Sequence, residues 1–503
     1  MKTRNLFLSL FAFAALCACN KEAQPEVPQI LDADTYVKVN IMATGASTRA
    51  YEYGEEEENA VHNVVFLFYG EGDKPVLADG TTYGWEDQTS GNNVAVKSAT
   101  VKFKAQTAKP TSMMVVLNYG PDESAINTLK GLSLSEAKAK IAESYSITAG
   151  TPAATYYTMS NSVYVDGSTL VCEVPLTDSN FGKTTEEGQT EDAVDPVDIY
   201  VERVAAKVRL NNKIEDADIT SSTETIDGTP NVVVTPVVVG YDVVNTPVKS
   251  NLFKNLKTSY ANYDEWTKPS DFRSFWAENC SLESTEYQNK TYDDIEAAVN
   301  PIYVHENTSA STTKVILTAY LTVPDDTFGT DGDSDPDKVN LVKYNSTYYT
   351  FEGFVSEAKK VVKASKGISI DTETLVAVPE TNNYEMHLEL AVGHGLVDAD
   401  ANTVNDALAM MIASYWKDGR CYYFTDIKHN LIDNTTSENV SGVVRNHVYD
   451  INLNSIKGLG IPVSGDDESE IVPTETSDEY YSLNATINIL QWKVVTQEVG
   501  FDN

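Results

Sequence analysis

The stretch "NVVVTPVVVGYDVV", residues 231–244, is rich in valine and is interrupted only by the pair Thr235–Pro236 and by residues 240–242. β-branched side chains favour extended backbone, so the run predicts a strand. Comparable runs bounded by Gly, Pro, Asn or Asp are "VHNVVFLFYG" (61–70), "TSMMVVLNYG" (111–120) and "KVILTAYLTV" (314–323). Many short strands separated by turn residues predict an all-β fold made of β-sandwiches.

Helical patterns are few. "SLSEAKAKIAESY" (133–145) starts with a serine cap and spaces its apolar residues near 3.6, and "NTVNDALAMMIASYW" (402–416) is similar. The acidic, polar stretch at 177–198 predicts an exposed linker between two domains.

The charge balance is strongly acidic. The 503 residues hold 37 Lys and Arg against 74 Asp and Glu, a formal net charge of -37. Such a charge argues against binding to nucleic acid or to anionic lipid, because both repel an acidic surface. It fits a protein that stays dispersed when crowded at an exposed location.

The first 19 residues predict an export signal. Lys2 and Arg4 precede an apolar run at 6–16 that is too short to span a bilayer. The following "LCAC" (16–19) resembles the lipobox of bacterial lipoproteins, in which the last cysteine, here Cys19, is lipidated. A plain signal peptide cleaved nearby is the alternative.

Three further cysteines allow one disulfide at most, and the sequence does not say whether any of Cys172, Cys280 and Cys421 pair. They carry no metal-ligand spacing.

No motif supports catalysis. "GKT" (182–184) lacks the glycine that a phosphate-binding loop needs, and "DGDSD" (331–335) lacks the later residues of a calcium loop. The six histidines show no metal-ligand spacing, and no nucleophile elbow is present. We therefore predict no enzyme, no cofactor and no metal site, and leave weak cation binding by the acidic loops open.

A strand pattern lies directly before an isolated arginine. "TYVKVNIMA" (35–43) places Val37, Val39 and Ile41 on one face, and Arg49 follows with no other arginine between Arg4 and Arg203.

The last strand pattern, "YSLNATINILQWKVV" (481–495), alternates in the same way and breaks phase near Gln491. Its aliphatic positions are Leu483, Ala485, Ile487 and Ile489, with Trp492 and Val494 as added anchors.

These two ends suggest a mechanism. If 35–43 fills a groove in a sheet and the chain is cut between Arg49 and Ala50, the sheet loses a strand and exposes its backbone. The C-terminal strand of another copy can fill the groove, which makes an open head-to-tail polymer. An ordinary surface role for Arg49 is the other interpretation.

The chain resembles the fimbrillins of Bacteroidales, the subunits of type V pili, and in particular shaft subunits of the short fimbriae of Porphyromonas. The resemblance covers essentially the whole chain. Its marks are the lipobox at Cys19, "STRA" (47–50), "VERVAAKVRL" (201–210), "YYFTDIKHN" (422–430), "VVRNHVYDINLNSIKGLGIPV" (443–463) and "LQWKVVTQEV" (490–499).

The resemblance implies two transthyretin-like Greek-key β-sandwich domains with a few short helices. We expect a signal peptide at 1–19, a propeptide at 20–49, an N-terminal domain at 50–200 and a C-terminal domain at 201–503. It implies a lipid-anchored precursor at the outer membrane, cut after Arg49 by an arginine-specific cysteine protease. The mature subunit then polymerises with copies of itself and with anchor and tip subunits into a surface fimbrium for adhesion to host or bacterial receptors and for biofilm formation.

Two alternatives stay open. One is an anchor or tip accessory subunit of the same system, and the other is a surface glycan-binding lipoprotein that uses some of the 28 tyrosines. The receptor and the strand register at the C-terminus cannot be read from the sequence.

Overall fold

The structure, a computed structural model, describes residues 35–43, 56–78, 80–89, 95–104, 108–162, 164–166, 169–183, 195–210, 218–255, 277–296, 301–324, 328, 338–432, 437–465, 469–473 and 481–491. Within this part of the chain strands dominate, and the all-β prediction is confirmed.

The N-terminal half is the part of the chain up to Arg203. Its strands are β1 (Thr35–Ala43), β2 (Val64–Tyr69), β3 (Pro75–Val76), β4 (Gly80–Thr89), β5 (Ala95–Phe103), β6 (Ser112–Leu117), β7 (Ile141–Ala142), β8 (Ser146–Ala149), β9 (Ala154–Tyr157), β10 (Met159–Asn161), β11 (Tyr164–Asp166), β12 (Thr169–Val171), β13 (Val174–Pro175), β14 (Phe181–Lys183) and β15 (Val197–Arg203).

The C-terminal half follows Arg203. Its strands are β16 (Ala205–Leu210), β17 (Asp218–Thr220), β18 (Ser222–Ile226), β19 (Thr229–Val244), β20 (Thr246–Pro247), β21 (Ser250–Asn251), β22 (Tyr287–Gln288), β23 (Lys290–Thr291), β24 (Ile302–His305), β25 (Lys314–Thr322), β26 (Leu341–Tyr344), β27 (Thr347–Thr350), β28 (Leu375–Pro379), β29 (Glu385–Leu390), β30 (Ala413–Trp416), β31 (Arg420–Asp426), β32 (Lys428–Ile432), β33 (Ser437–Ser441), β34 (His447–Gly458), β35 (Ile461–Pro462), β36 (Glu470–Ile471) and β37 (Tyr481–Gln491).

The α-helices of the described residues are mostly short. They are α1 (Glu56–Asn59), α2 (Glu123–Asn127), α3 (Leu134–Lys138), α4 (Tyr292–Glu296), α5 (Phe351–Lys366) and α6 (Asp398–Leu408).

One sheet organises the N-terminal half. Its strands follow the order β3-β2-β6-β10-β15-β1-β5-β4, with β13 paired to β6 and β14 paired to β1. Phe68 of β2 and Phe103 of β5 lie at well-separated positions in this order, yet their rings meet edge to face at 4.8 Å between centroids. The sheet therefore curls around one apolar core, to which both strands and β1 contribute.

Two sheets form the body of the C-terminal half. A five-stranded sheet runs β17-β34-β16-β24 with β37 on β34, and a second runs β28-β29-β30-β26-β27-β18-β19-β25-β31-β35. Leu453 and Ile456 of β34 share a buried cluster with Leu317 of β25 and Tyr423 of β31. The two sheets therefore pack face to face as a sandwich.

A helical layer covers one end of the larger sheet. Phe354, Ala358 and Val362 of α5 are fully buried in one cluster with Val404 and Leu408 of α6. The sequence patterns missed α5, although Thr350 caps its N-terminus through the backbone nitrogen of Gly353 at 3.0 Å. A left-handed Gly367 ends it, as is common after helices.

The two predicted helices are real but shorter than predicted. The 133–145 pattern gives α3, after which β7 turns away to pair with β21 of the C-terminal half. The 402–416 pattern gives the end of α6, and its last residues form β30, between β26 and β29. In both places a tertiary strand pairing overrides the local helical period.

The chain passes from the first sheet to the second between β15 and β16, with Val204 between them. The division into domains at 50–200 and 201–503 stays a prediction. Among the described residues, Cys172, Cys280 and Cys421 are free. No helix of the described part is long and apolar enough to cross a membrane.

Candidate functional site

The predicted groove filler β1 is an interior strand. It pairs antiparallel with β5 along Thr35–Met42 and parallel with β15 along Val39–Ala43. β14 pairs with its first residues, Thr35–Val37, on the side that β15 later takes. Both edges of β1 are thus hydrogen-bonded, and its removal would leave a gap bordered by unpaired backbone on both sides.

The three predicted filler residues lie in the core. Val37 and Val39 are 0% exposed and Ile41 is 4% exposed, and all three belong to the cluster enclosed by the curled sheet. Burying three such side chains contributes on the order of 5–9 kcal/mol before the entropy cost is counted. The alternation predicted from the sequence is therefore confirmed, and β1 contributes strongly to the stability of the fold.

Tyr36 adds a contact that the alternation did not predict. It is fully buried on the other face of β1, opposite Gly182 of β14. A β-carbon at position 182 would lie 2.5 Å from the Tyr36 ring, so only glycine leaves room for it.

The predicted donor strand lies at an edge. In the described part of the chain β37 pairs with β34 alone, antiparallel, from Tyr481 opposite Gly458 to Gln491 opposite His447. Leu483, Ala485, Ile487 and Ile489 fall opposite Ile456, Leu453, Ile451 and Tyr449. The register shift lies in β34, between Leu453 and Ser455, so β34 carries an irregularity that the β37 sequence does not reveal.

Several predicted residues lie outside the described part of the chain. They are the lipidation residue Cys19, the cleavage pair Arg49 and Ala50, and the added anchors Trp492 and Val494. Their roles stay predictions.

A buried polar cluster that sequence reasoning missed lies where the two halves meet. This junction cluster consists of Glu58 of α1, Arg203 of β15, Lys207 of β16 and Tyr303 of β24. Lys207 Nζ lies 2.8 Å from Glu58 Oε1, and the two side chains are 4% and 3% exposed. The Tyr303 hydroxyl donates to the same carboxylate oxygen.

Arg203 ties the same helix to the first sheet. Its Nε donates to the backbone oxygen of Glu58 at 3.0 Å, and a terminal nitrogen donates to the Asn59 side chain. Burial lowers the pKa of Arg203 to about 10, with the Glu58 charge acting in the opposite direction. Burial also raises the pKa of the Tyr303 hydroxyl, and its hydrogen bond to Glu58 adds to this shift.

The sequence held one signal for this cluster. "VERVAAKVRL" (201–210) places Arg203 and Lys207 in a densely apolar strand segment. Buried cations need acidic partners, so such a segment requires carboxylates from elsewhere in the chain. The sequence did not indicate which acid, because Glu58 stands in a run of glutamates.

A short arm of the C-terminal half, residues 250–254, docks into the N-terminal half. Leu252 and Phe253 are 0% and 1% exposed and pack in a cluster with Met114 and Leu134. The backbone nitrogen of Leu252 donates to the Lys140 oxygen at 2.8 Å.

Two buried ion pairs stabilise the docking arm, residues 250–254. Lys254 lies 2.8 Å from Glu202, and both side chains are nearly inaccessible. Arg445, fully buried, pairs with Glu306 at 3.2 Å and donates to the Leu252 oxygen at 3.0 Å.

Two buried histidines lie close to these contacts. His305 faces the Ser250 hydroxyl at 3.1 Å, and burial lowers its pKa to about 3, with the Arg445 charge second. His447, opposite Gln491 of β37, meets His429 at 4.9 Å between ring centroids. Burial holds the pKa of His447 well below its ordinary value, and His429 adds to the shift.

In the described residues no group of three or more His, Cys, Asp or Glu side chains is placed to hold a metal ion. Within the described residues the structure shows β1 paired on both edges, β37 paired with β34 alone, and a polar junction between the halves.

Residues 414–498 match the sequence model of the C-terminal region of fimbrillin, described as major fimbrial subunit protein type IV. This region includes β34, β37 and the docking partner Arg445. No curated protein matches the chain.

Solved structures with similar shape include fimbrial proteins. A fimbrilin from Porphyromonas gingivalis is 14% identical at a TM-score of 0.35, covering 92% of this chain and 99% of its own. The tip fimbrial protein Mfa3 from the same organism is 11% identical at a TM-score of 0.29, covering 90% and 99%. A fimbrial assembly protein from Parabacteroides distasonis is 12% identical at a TM-score of 0.28, covering 71% and 96%.

At such low scores the assignment rests on the sequence match and not on the structural likenesses. Residues 414–498 thus resemble the C-terminal region of fimbrillin, a major fimbrial subunit protein.

Proposed function

We propose that this protein is a fimbrillin, and that it is a shaft subunit that polymerises by exchange of strands between copies. The precursor, lipidated at Cys19, reaches the outer membrane, and an arginine-specific protease cuts it between Arg49 and Ala50. β1 then leaves, and the C-terminal strand of the next copy takes its place. Anchor and tip subunits complete the fimbrium, which adheres to host or bacterial surfaces and promotes biofilm formation.

The observation that carries the proposal is the contrast between the two strands. β1 is paired on both edges and holds Val37, Val39 and Ile41 in the core. A sheet that loses such a strand is strongly driven to regain one. In the described chain β37 is paired on one edge only, so it can peel from β34 without splitting a sheet.

The donor pattern matches the filler pattern in spacing. Four aliphatic residues at 483, 485, 487 and 489 alternate as do Thr35, Val37, Val39 and Ile41. Aligned in the same direction, Ile487 replaces Val39 and Ile489 replaces Ile41. Trp492 and Val494 add contacts beyond the filler.

Chain growth of a donor-face variant tests the proposal. Ile487→Asp puts a charge where the groove needs an apolar side chain, while its groove stays intact. After cleavage such a chain accepts a donor but cannot serve as one, so added at one part in ten it shortens wild-type polymers. Polymer length is measured by electron microscopy and by gels run without boiling.

Asn484→Asp, on the opposite face of the same strand and opposite Ser455 in the ladder, is the matched control and is expected to polymerise normally. Circular dichroism of both uncut variants checks that they fold. If wild-type polymers are equally long with and without added Ile487→Asp, residues 483–489 are not the donor strand.

A further inference from the structure

We propose that Glu58 is a positioning residue for strand exchange: its buried carboxylate keeps the start of the cut chain fastened to both halves while β1 departs. This inference rests on the proposed function, because it concerns what remains after the cut. Its local contacts can be tested in the uncut chain.

Glu58 connects three strands that belong to two different sheets. Its carboxylate accepts from Lys207 of β16 and Tyr303 of β24, both in the five-stranded sheet of the C-terminal half. Its backbone oxygen accepts from Arg203 of β15, in the sheet of the N-terminal half. A residue near the start of the cut chain thus joins the two halves.

The same strand, β15, holds both sides of the cut. Upstream of it, Ala43 of β1 pairs with Val201. Downstream, the Glu58 backbone is bound by Arg203, two residues further along β15. Cleavage removes the covalent link between β1 and α1, so β1 is then held only by its ladder and its buried side chains. The α1 side keeps its ion pair and hydrogen bonds.

The fastening also limits what the new N-terminus can do. Residues 50–55 lie between the cut and α1. Six residues reach about 20 Å at full extension, whereas the nine-residue β1 spans about 30 Å. With α1 held, this tail cannot refill the groove along its length, so the groove stays open to a strand from another copy.

The contacts of Glu58 with Lys207, Tyr303 and Arg203 are called the Glu58 clamp. Tyr157, in the N-terminal half, supports this clamp. Its ring lies 4.6 Å from that of Tyr303 between centroids, and β9, which carries it, borders α1. Tyr303 is therefore held between a ring of one half and the Glu58 carboxylate. Without Glu58, the buried Lys207 would lose its carboxylate partner, which is strongly unfavourable.

Hydrogen–deuterium exchange read by mass spectrometry tests the clamp. In the uncut chain, Glu58→Gln is expected to raise exchange at 56–59 and 302–305 about a hundredfold, the effect of removing one partner of a buried ion pair. Exchange at 385–390, in the remote helix-covered part of the sheet, is expected to stay at the wild-type rate. Glu123→Gln, at an exposed acid of the same half, is the matched control.

Cutting after Arg49 tests retention. In wild type, exchange rises at 99–103 of β5, which loses β1, and stays unchanged at 56–59. In the cut Glu58→Gln variant, exchange is raised at both 99–103 and 56–59. Release of 56–59 on cutting wild type would overturn the proposal.

A rescue separates positioning from general loss of stability. Lys207→Met removes the other charge, so the double variant with Glu58→Gln is expected to recover most of the protection at 302–305. Tyr303→Phe gives a milder version if Glu58→Gln does not fold. Equal exchange at 56–59 in wild type and Glu58→Gln contradicts the clamp, whatever happens to polymerisation. If the chain is not cut after Arg49, the proposed function is wrong. The comparison of uncut wild type with uncut Glu58→Gln then tests the Glu58 contacts by itself.

Discussion

Tyr36 of β1 lies against Gly182 of β14, its partner in the ladder, at a distance that leaves no room for a β-carbon. The contact exists only while β1 occupies the groove. A defect at position 182 should therefore report on the presence of β1.

Gly182→Ala is expected to lower the free energy of unfolding of the uncut chain by about 1–3 kcal/mol, since it forces the buried Tyr36 ring to move. In the cut chain, once β1 has left, the same substitution should have little effect. Urea unfolding of both forms measures the difference. Gly395→Ala, where the nearest atom is an ordinary 3.4 Å from the added carbon, is the control, and an equal loss in cut and uncut chains would speak against β1 leaving the groove.

Phe253→Ala should weaken the joint between the halves. The ring is 1% exposed and packs in the core of the opposite half, so its removal is expected to cost about 3–5 kcal/mol of stability. Differential scanning calorimetry is the measurement, with Leu77→Ala, at a side chain that is 63% exposed, as control. A change within the error of the control would mean that the docking arm does not hold the halves together.

Acid should loosen the C-terminal half. His305 has a folded pKa of about 3, and that of His447 is also lowered, so the folded state binds fewer protons than the unfolded one. Their stabilisation is complete above the unfolded pKa near 6.5 and is lost as the pH falls toward the folded value, by about 1.4 kcal/mol per pH unit for each histidine.

The groups around these histidines are Arg445, Glu306, Lys254, His429 and Tyr449. Unfolding free energies measured between pH 7 and pH 4 should fall less steeply in His305→Gln than in wild type. His62→Gln, at an exposed histidine, should keep the wild-type slope. The same slope in all three would contradict burial of a neutral His305.

Truncation locates the donor. A chain that ends at Gln491 keeps Leu483 to Ile489 and lacks Trp492 and Val494, so after cleavage it should still polymerise, into oligomers that dissociate at lower temperature. Removing 480–503 should abolish growth. Gels run without boiling over a temperature series distinguish the two truncated chains. If the chain that ends at Gln491 forms no oligomers, the donor strand lies beyond residue 491.

The strand content could be predicted from the sequence because it follows from local pattern. Val37, Val39 and Ile41 alternate, and the structure buries all three. α5 was not predicted, although Phe354, Ala358 and Val362 recur every four residues and Thr350 and Gly367 mark its ends.

The junction could not be predicted, because it depends on contacts far apart in sequence. Glu58 and Tyr303 are 245 residues apart, and nothing local distinguishes Glu58 from its acidic neighbours. The docking arm is similar: Leu252 and Phe253 look like ordinary strand residues until β21 is seen to pair with β7. Local pattern fixes which residues are buried, and only the fold determines against what.

Cleavage after Arg49 is proposed to release β1 and to start polymerisation. Wild type and Arg49→Ala are treated with an arginine-specific protease, run on SDS gels without boiling, and sequenced from the new N-terminus. A ladder of stable oligomers that begin Ala50-Tyr51-Glu52 is expected from wild type alone. If both chains stay monomeric, or both polymerise equally, Arg49 is an ordinary surface residue and the strand-exchange mechanism is wrong.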